Sequence, residues 1–474
     1  MKKYETLALL AIDEIKSGKL PVGSRLPALR VIAKHHSVSM TTATKAYRYL
    51  EQTAWISAIP QSGFFVSNWP TNNKNNLVPQ VPDFQSVHRD PKSYAPIYGY
   101  NPTVDFFSPL GTSMISPDLL PTAELQRSIK RVTSRSNNLI HQYPTPQGDS
   151  LLRAALADHF RKDHFAFRDS DLVITNGCIN AIRVAIEVTS NVGDTIAISS
   201  PCFSGLLDLL TILNRKIIEI PSNDRGLDID QLDKLMQTKQ ITAGLFNTSH
   251  MNPSGSSLCK QQKQRLANLA NKYTIPIIED DVYIELAHHG KPPLPTKYWD
   301  KGGYVLWCGS VSKTLAAGLR LGWCLPGRYF KKYLNQHKLT GLGVNELMQA
   351  SFAEFINTGE YRSHVNKIRL TLSRQVYDYR QFFIKNLPSN TRVSQPEGGT
   401  VLWIQIPQLD ADKLQKIAEE QLIDIRSGSS FSTHKYYKNC FRINCGWPLQ
   451  KNQDSTSAYQ QMKTLCEMIN KLIC

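Results

Sequence analysis

The chain has 474 residues, 41% of them hydrophobic, with 55 Lys and Arg against 39 Asp and Glu, a formal charge of +16. That length argues for two or three folding units and against one average domain, and the hydrophobic share supports a large core and excludes overall disorder. The basic balance points toward an anionic partner without singling one out.

No apolar run approaches the length that spans a bilayer, and the opening residues lead into an amphipathic helix, not a signal peptide. Both observations point to a cytoplasmic protein with no membrane partner. The nine cysteines form neither a Cys-x-x-Cys pair nor a Cys/His zinc spacing. Free thiols in a reducing compartment and no metal site are expected.

Residues 4–17 carry Leu7, Leu10, Ala11 and Ile15 at a helical period, closed by Gly18. Pro27 suits the first turn of a second helix over roughly 28–35. Ser39 is a good N-cap for a third helix from Met40 to about Gln52. On this third helix Ala43, Ala46, Tyr47 and Leu50 share an inward face, while Thr42, Lys45 and Arg48 lie largely opposite and Thr41 stands near the N-terminus. Small polar groups ahead of basic ones suit a helix in a DNA major groove, although an ordinary solvated face accounts for the stripe taken alone. Trp55–Ile59 and Phe64–Val66 read as two strands around Pro60-Gln-Ser-Gly63, a β-wing. Residues 1–67 hold nine basic and four acidic side chains, a surplus of five positive charges.

Through Gly18, Pro21-Val-Gly23, Arg25-Leu-Pro27, Arg30, Val38-Ser39, Thr42, Ala46-Tyr47, Leu50-Glu51 and Ser62-Gly63, residues 4–66 resemble the GntR family of bacterial DNA-binding domains. The resemblance implies a winged helix-turn-helix over 1–67. It further implies that Arg30, Ser39, Thr41, Thr42 and Lys45 meet double-stranded operator DNA, with the wing near Ser62 and Gly63 in the adjacent minor groove; Arg48 belongs to the same basic stripe. Leu29 departs from the family pattern, where a small polar residue is usual.

Residues 68–104 contain six prolines and a Thr-Asn-Asn-Lys-Asn-Asn patch without sustained periodicity. They read as a flexible linker whose 36 or so residues would span roughly 30–36 Å r.m.s..

From 105 to 474 strand and helix patterns alternate. Strands are expected at Asp171–Thr175, Thr195–Ser199, Lys216–Ile220, Ala243–Asn247, Ile275–Glu279, Tyr304–Cys308 and Leu321–Leu325, with helices such as Ile179–Thr189 and Lys260–Lys272 between them. The expected fold class is α/β: a mostly parallel sheet covered on both faces, followed by a smaller C-terminal α+β subdomain. Ligands collect at the carboxyl ends of such strands, where the polar motifs fall.

The run Ser310-Val-Ser-Lys-Thr-Leu-Ala-Ala-Gly-Leu-Arg-Leu-Gly-Trp323 sets Lys313 between a hydroxyl and a guanidinium. That set suits a phosphorylated aldehyde, with an amine for a Schiff base and donors for the phosphate. In Thr175-Asn-Gly-Cys-Ile-Asn180, Gly177 opens a helix whose N–H groups at Cys178 and Ile179 can bind phosphate. Phe203 could stack on a ring, though taken alone a buried core phenylalanine is the better reading. Asn252 can donate to a phenolate, though Asn-Pro is also a turn signal. Asp280 can keep a pyridine nitrogen protonated and Tyr283 can bond the ring oxygen; an N-cap acid with a half-buried tyrosine is the plainer alternative.

In this order, Gly177, Phe203, Asn252, Asp280, Tyr283, Ser310, Lys313 and Arg320 resemble the class I/II aminotransferases of fold-type I, which use pyridoxal 5'-phosphate (PLP). The resemblance implies that Lys313 is the catalytic Schiff-base lysine, that Ser310, Ser312 and Arg320 bind phosphate, and that Asn252 and Tyr283 meet the ring oxygen. Tyr143 resembles the tyrosine reaching the other subunit's cofactor, and Arg442 the arginine gripping a substrate carboxylate. Ser249-His250-Met251 departs from related regulators, which often carry a glutamine there.

A GntR-type winged helix linked to an aminotransferase-like body resembles the MocR (GabR-like) regulators. That resemblance implies a head-to-tail homodimer and a transcription factor sensing an amine, an amino acid or PLP through Schiff-base exchange at Lys313. The alternative is a working aminotransferase with a DNA-binding appendage.

Overall fold

The computed structural model describes the chain apart from residues 1, 2, 17, 18, 22, 53, 54, 60–62, 68–76, 90–107, 136–138, 140, 142, 225, 435, 451–453, 455 and 474. The N-terminal unit comprises α1 (Lys3–Lys16), α2 (Leu29–His35), α3 (Met40–Gln52) and an antiparallel wing of β1 (Ile56–Ile59) and β2 (Gly63–Val66). Ser39 caps α3 as its side-chain oxygen accepts the Thr42 N–H at 3.1 Å. Ala43, Ala46, Tyr47 and Leu50 are buried, as the periodicity predicts. The inward face of α1 differs from expectation: Leu7, Ala8, Ile12 and Ile15 are buried while Leu10 is 48% exposed. Ala8 and Ile12 share the buried side with Leu7 and Ile15, whereas Leu10 lies a third of a turn too far round. Gly18 lies outside the described residues.

The linker expected to be flexible over 68–104 is in part a docked strap. Leu77 accepts the Val393 N–H at 3.1 Å, and Gln80 N–H donates to Gln405 Oε1 at 2.8 Å. Further along, Ser86 donates to the Glu219 carbonyl at 2.6 Å, and Phe84 stacks on Tyr436 with ring centroids 4.7 Å apart. His88–Arg89 (β3) then pairs antiparallel as an edge strand. Extended, proline-punctuated chain has no internal hydrogen bonds, so its backbone groups are available to a sheet edge.

Among the described residues, nine strands form the main sheet. After β3 come β4 (Val173–Thr175), β5 (Thr195–Ser200), β6 (Lys216–Asn223), β7 (Gly226–Leu227), β8 (Ala243–Asn247), β9 (Ile277–Asp280), β10 (Val305–Ser310) and β11 (Gly322–Leu325). Their order is β3-β6-β5-β8-β9-β10-β11-β4, with β7 beside β6. The five central strands β6, β5, β8, β9 and β10 are parallel; β3 and β11 run against them, and β4, antiparallel to β11, runs with them. Runs such as Ile196-Ala-Ile198 are fully buried, as strands covered on both faces must be. Helices Cys178–Thr189, Ser204–Ile212 and Phe330–Gly341 pack on one face; Ile229–Gln237 and Lys260–Tyr273 pack on the other.

A four-stranded antiparallel sheet follows: β12 (Arg392–Val393), β13 (Val401–Gln405), β14 (Arg426–Ser427) and β15 (Cys440–Asn444), ordered β12-β13-β15-β14. Its core joins the long helix Glu360–Asn386 to the helices Ala411–Glu420 and Ala458–Ile473. Among the described residues no helix is long and apolar enough to cross a membrane.

Candidate functional site

In the N-terminal unit, Arg30, Ser39, Thr41, Lys45 and Arg48 are exposed and Thr42 is half-buried. Ser39 Oγ and Thr42 Oγ1 lie 2.9 Å apart, so the cap fixes Thr42 at the head of α3. Gly63 sits at φ +108°, and a Cβ there would approach Arg25 Nε to 3.2 Å. This brings a cation against the base of the wing. Ser62 lies outside the described residues.

The second site lies at the carboxyl ends of the central strands. β9 ends on Asp280, which pairs with Cys308 of β10; β10 runs on to Ser310, and Lys313 follows in the turn after it. Lys313 Nζ donates to the carbonyl of Ser113 at 2.6 Å. Burial, helped by Arg442 and Arg320 and opposed by Asp280, pushes this amine down to about 8. A lysine so placed is far richer in its neutral, nucleophilic form at neutral pH than one in water.

Asp280 is buried, accepts a hydrogen bond from Cys178 Sγ at 3.5 Å, and is pushed up to about 6 by burial. A cationic N–H opposite it would restore its charge. Tyr283 is buried with its hydroxyl 2.8 Å from Ser113 Oγ; burial pushes it up to about 12 against the opposing pull of Ser113, Arg442 and Asn252. Arg442, on β15, donates to Asn252 Oδ1 at 3.5 Å and to the carbonyl of Gly111. Lys313, Asp280, Tyr283, Asn252 and Arg442 thus converge on one cleft, although the last comes from the C-terminal sheet.

A cup of backbone and guanidinium flanks this cleft. Gly177, at φ +80°, precedes helix Cys178–Thr189, and a Cβ there would lie 2.4 Å from Arg320 Nη2. Arg320 itself adopts φ +51° and donates to the Asn176 carbonyl at 3.3 Å. Ser310 Oγ accepts the Ser312 N–H at 3.3 Å, closing the turn on the opposite side. Ile179 is 42% exposed at the helix start. Phe203 is half-buried at the head of Ser204–Ile212, packed against the cluster of Cys202 and Leu206. Tyr143 is 87% exposed and lies in no described contact with this cleft.

Ser113, Gly111 and Thr400 are site residues that sequence patterns did not single out. Ser113 supplies the carbonyl to Lys313 and the hydroxyl to Tyr283, and its Oγ is 2.7 Å from Thr400 Oγ1. Gly111 has no room for a side chain, because a Cβ would meet the Asp424 carboxylate. The glycine inside Ser108-Pro-Leu-Gly-Thr-Ser113 and the pair Gly398-Gly399 were the available signals.

Residues 116–455 match the model described as aminotransferase class I and II, and residues 3–66 match bacterial regulatory proteins of the gntR family. The chain belongs to the gntR-type regulators with an aminotransferase class I and II body, the MocR arrangement. The regulator is 30% identical over 478 residues to YdcR of Escherichia coli strain K12, an uncharacterized HTH-type transcriptional regulator, spanning 99% of this chain and 100% of that protein. It is also 30% identical over 467 residues to the similarly described YjiR of the same strain, across 95% and 96% of the two chains. The kynurenine aminotransferase of Pyrococcus horikoshii shares the fold of the body at a TM-score of 0.71, with 23% identity over 78% of this chain and 91% of that one.

PLP is the cofactor of this body, and the residues present fit it. The Gly177 cradle admits no side chain beside Arg320, the cleft amine is depressed, and a buried carboxylate lacks a full counter-charge. When bound, PLP supplies an aldehyde carbon that an amine can take over from Lys313 and a ring that drains electrons toward its nitrogen. The Gly177–Arg320 cup would hold its phosphate, Asp280 its ring nitrogen, and Asn252 and Tyr283 its ring oxygen.

Proposed function

We propose that this regulator senses an amine, an amino acid or PLP itself at Lys313 and converts occupancy into altered binding of operator DNA in the cytoplasm. The observation that carries the proposal is the presence, in one chain, of a depressed cleft lysine facing Arg442 and of a capped, basic α3. Arg442 provides a carboxylate grip and Lys313 the exchangeable amine, so a small amino acid is the ligand class these two groups suit best. Tyr143, exposed on its own subunit, is assigned to the cleft of a second copy in a head-to-tail homodimer.

An effector shifts DNA affinity only by its differential affinity for two states of the body. The test is titration of amines and amino acids into the PLP-loaded protein with labelled upstream DNA present. A ligand-dependent change of DNA affinity supports the proposal. Sustained turnover of an amino donor with DNA affinity unchanged would instead assign the chain as an aminotransferase with a DNA-binding appendage, the reading favoured by the completeness of the cleft. On the DNA side, Lys45→Ala and Arg48→Ala should each weaken binding and lower its salt slope by about one. Thr42→Ala should alter sequence preference at constant salt slope.

A further inference from the structure

Beneath the cleft lies a buried chain of polar groups that cofactor binding does not directly use. Thr314, the residue after Lys313, has its Oγ1 2.9 Å from the Tyr361 hydroxyl. That hydroxyl lies 2.7 Å from Glu285 Oε2, and Glu285 Oε1 is 2.5 Å from His159 Nε2. The Thr314 carbonyl accepts from His364 Nε2 at 2.9 Å. Thr314, Tyr361, Glu285, His159 and His364 are all buried.

The proton positions follow from which groups can only accept. Burial alone would raise Glu285, but His159 and Tyr361 hold it below the usual range, so it is a carboxylate and accepts from both. Burial and Glu285 push the Tyr361 phenol well above its ordinary value. Its single proton goes to Glu285, so its oxygen must accept from Thr314. Each bond in the chain therefore has one direction.

Glu285 belongs to the tight turn Ile284–Leu286 that follows Tyr283, where the Leu286 N–H returns to the Tyr283 carbonyl at 2.8 Å. Tyr361 consequently bonds two turns at once: one carries Lys313 and the other carries Tyr283. We infer that Tyr361 is a positioning residue that sets Lys313 against Tyr283 through Thr314 and Glu285. The Tyr361 ring packs against Phe352 and His159, so it is anchored independently of its hydroxyl.

This inference rests on the proposed PLP site. The test compares wild type, Tyr361→Phe, Thr314→Val, Thr314→Ser and the double variant Y361F/T314V, each loaded with PLP. Three quantities are read: PLP dissociation constant, pH midpoint of the visible absorption, and thermal midpoint. The charged groups around Lys313, namely Asp280, Arg442 and Arg320, are the same in all variants, so a moved pH midpoint reports displacement of the lysine or of Tyr283. Tyr361→Phe and Thr314→Val should each weaken PLP about tenfold and shift the pH midpoint. The double variant should be no worse than Tyr361→Phe, because that substitution already removes the Thr314–Tyr361 bond, and Thr314→Ser should restore wild-type values. Lower thermal midpoints in Tyr361→Phe and Thr314→Val, with PLP affinity and pH midpoint as in wild type, would reduce Tyr361 to a packing role and overturn the inference. Wild type that takes up no PLP and gives no visible band would overturn the site itself, and the inference with it.

Discussion

Lys313→Ala is expected to abolish the Schiff-base absorption band of the PLP-loaded regulator, because among the described residues no other amine stands beside Asp280, Tyr283 and Arg442 to replace it. Lys45 and Arg48 lie in the other unit, so specific DNA binding without effector should persist, and its ligand response should vanish. The variant should also reveal the cost of burying this amine. In cofactor-free wild type, folding lowers the Lys313 pKa from the ordinary 10.5 to about 8. A depressed cation destabilises the fold wherever it must be protonated, so the cost is fully present below about pH 8. It fades as the pH rises through 8 and is gone above 10.5. With allowance for solvent at the cleft mouth, the cost is about 2–3 kcal/mol. Lys313→Ala should therefore gain stability relative to cofactor-free wild type at pH 7, and that relative gain should shrink by about this amount by pH 11. Urea unfolding at the two pH values measures it; an unchanged difference would mean that the amine stays charged without penalty.

The second large effect belongs to Gly177→Ala. Gly177 holds φ +80° and ψ 172°, a region that residues with a side chain occupy only under strain of about 1–3 kcal/mol. An added Cβ would lie 2.4 Å from Arg320 Nη2, and Arg320 is held beside it by the Asn176 carbonyl. The guanidinium has to leave the cup or the helix start has to shift. Loss of one charge-assisted contact to phosphate is worth about 1.5–3 kcal/mol, so PLP affinity should fall about ten- to a hundredfold. Equilibrium titration with PLP tests this. The thermal midpoint of the cofactor-free variant separates backbone strain from lost phosphate binding. By contrast, Gly193→Ala also forces a side chain at positive φ, +87°, but with no atom within 4 Å, so it should reproduce the strain and leave PLP affinity intact.

Much of this was legible because the signals are local. Ser39 and the Ala43–Leu50 face define α3 within a dozen residues, and Ser310–Arg320 places its amine and guanidinium on either side of one turn. Strand positions followed from apolar runs; the end of β10 at Ser310 and not Cys308 shows the usual uncertainty where an apolar run becomes a polar turn. What periodicity did not reveal is made by distant segments meeting. Ser113 reaches Lys313 across 200 residues and Thr400 across 287, and the only nearby signal is Gly111, two residues before it. Tyr361 carries no local signal, since its partners Thr314 and Glu285 come from two separate turns. The strap escaped notice for a different reason: prolines and asparagines remove internal periodicity without preventing backbone pairing to an edge such as β6 or β12.

The strap also fixes the leash of the DNA-binding unit. If the whole linker were free, the winged helix could explore a volume set by more than thirty residues. With Leu77 bonded to Val393, only the ten peptide links from Ser67 to Leu77 separate the wing from an anchored point. Fully extended, that stretch reaches about 35 Å. The edge of the small C-terminal sheet, whose strand β15 carries Arg442, is therefore an anchor point only ten residues along the chain from the DNA-binding wing.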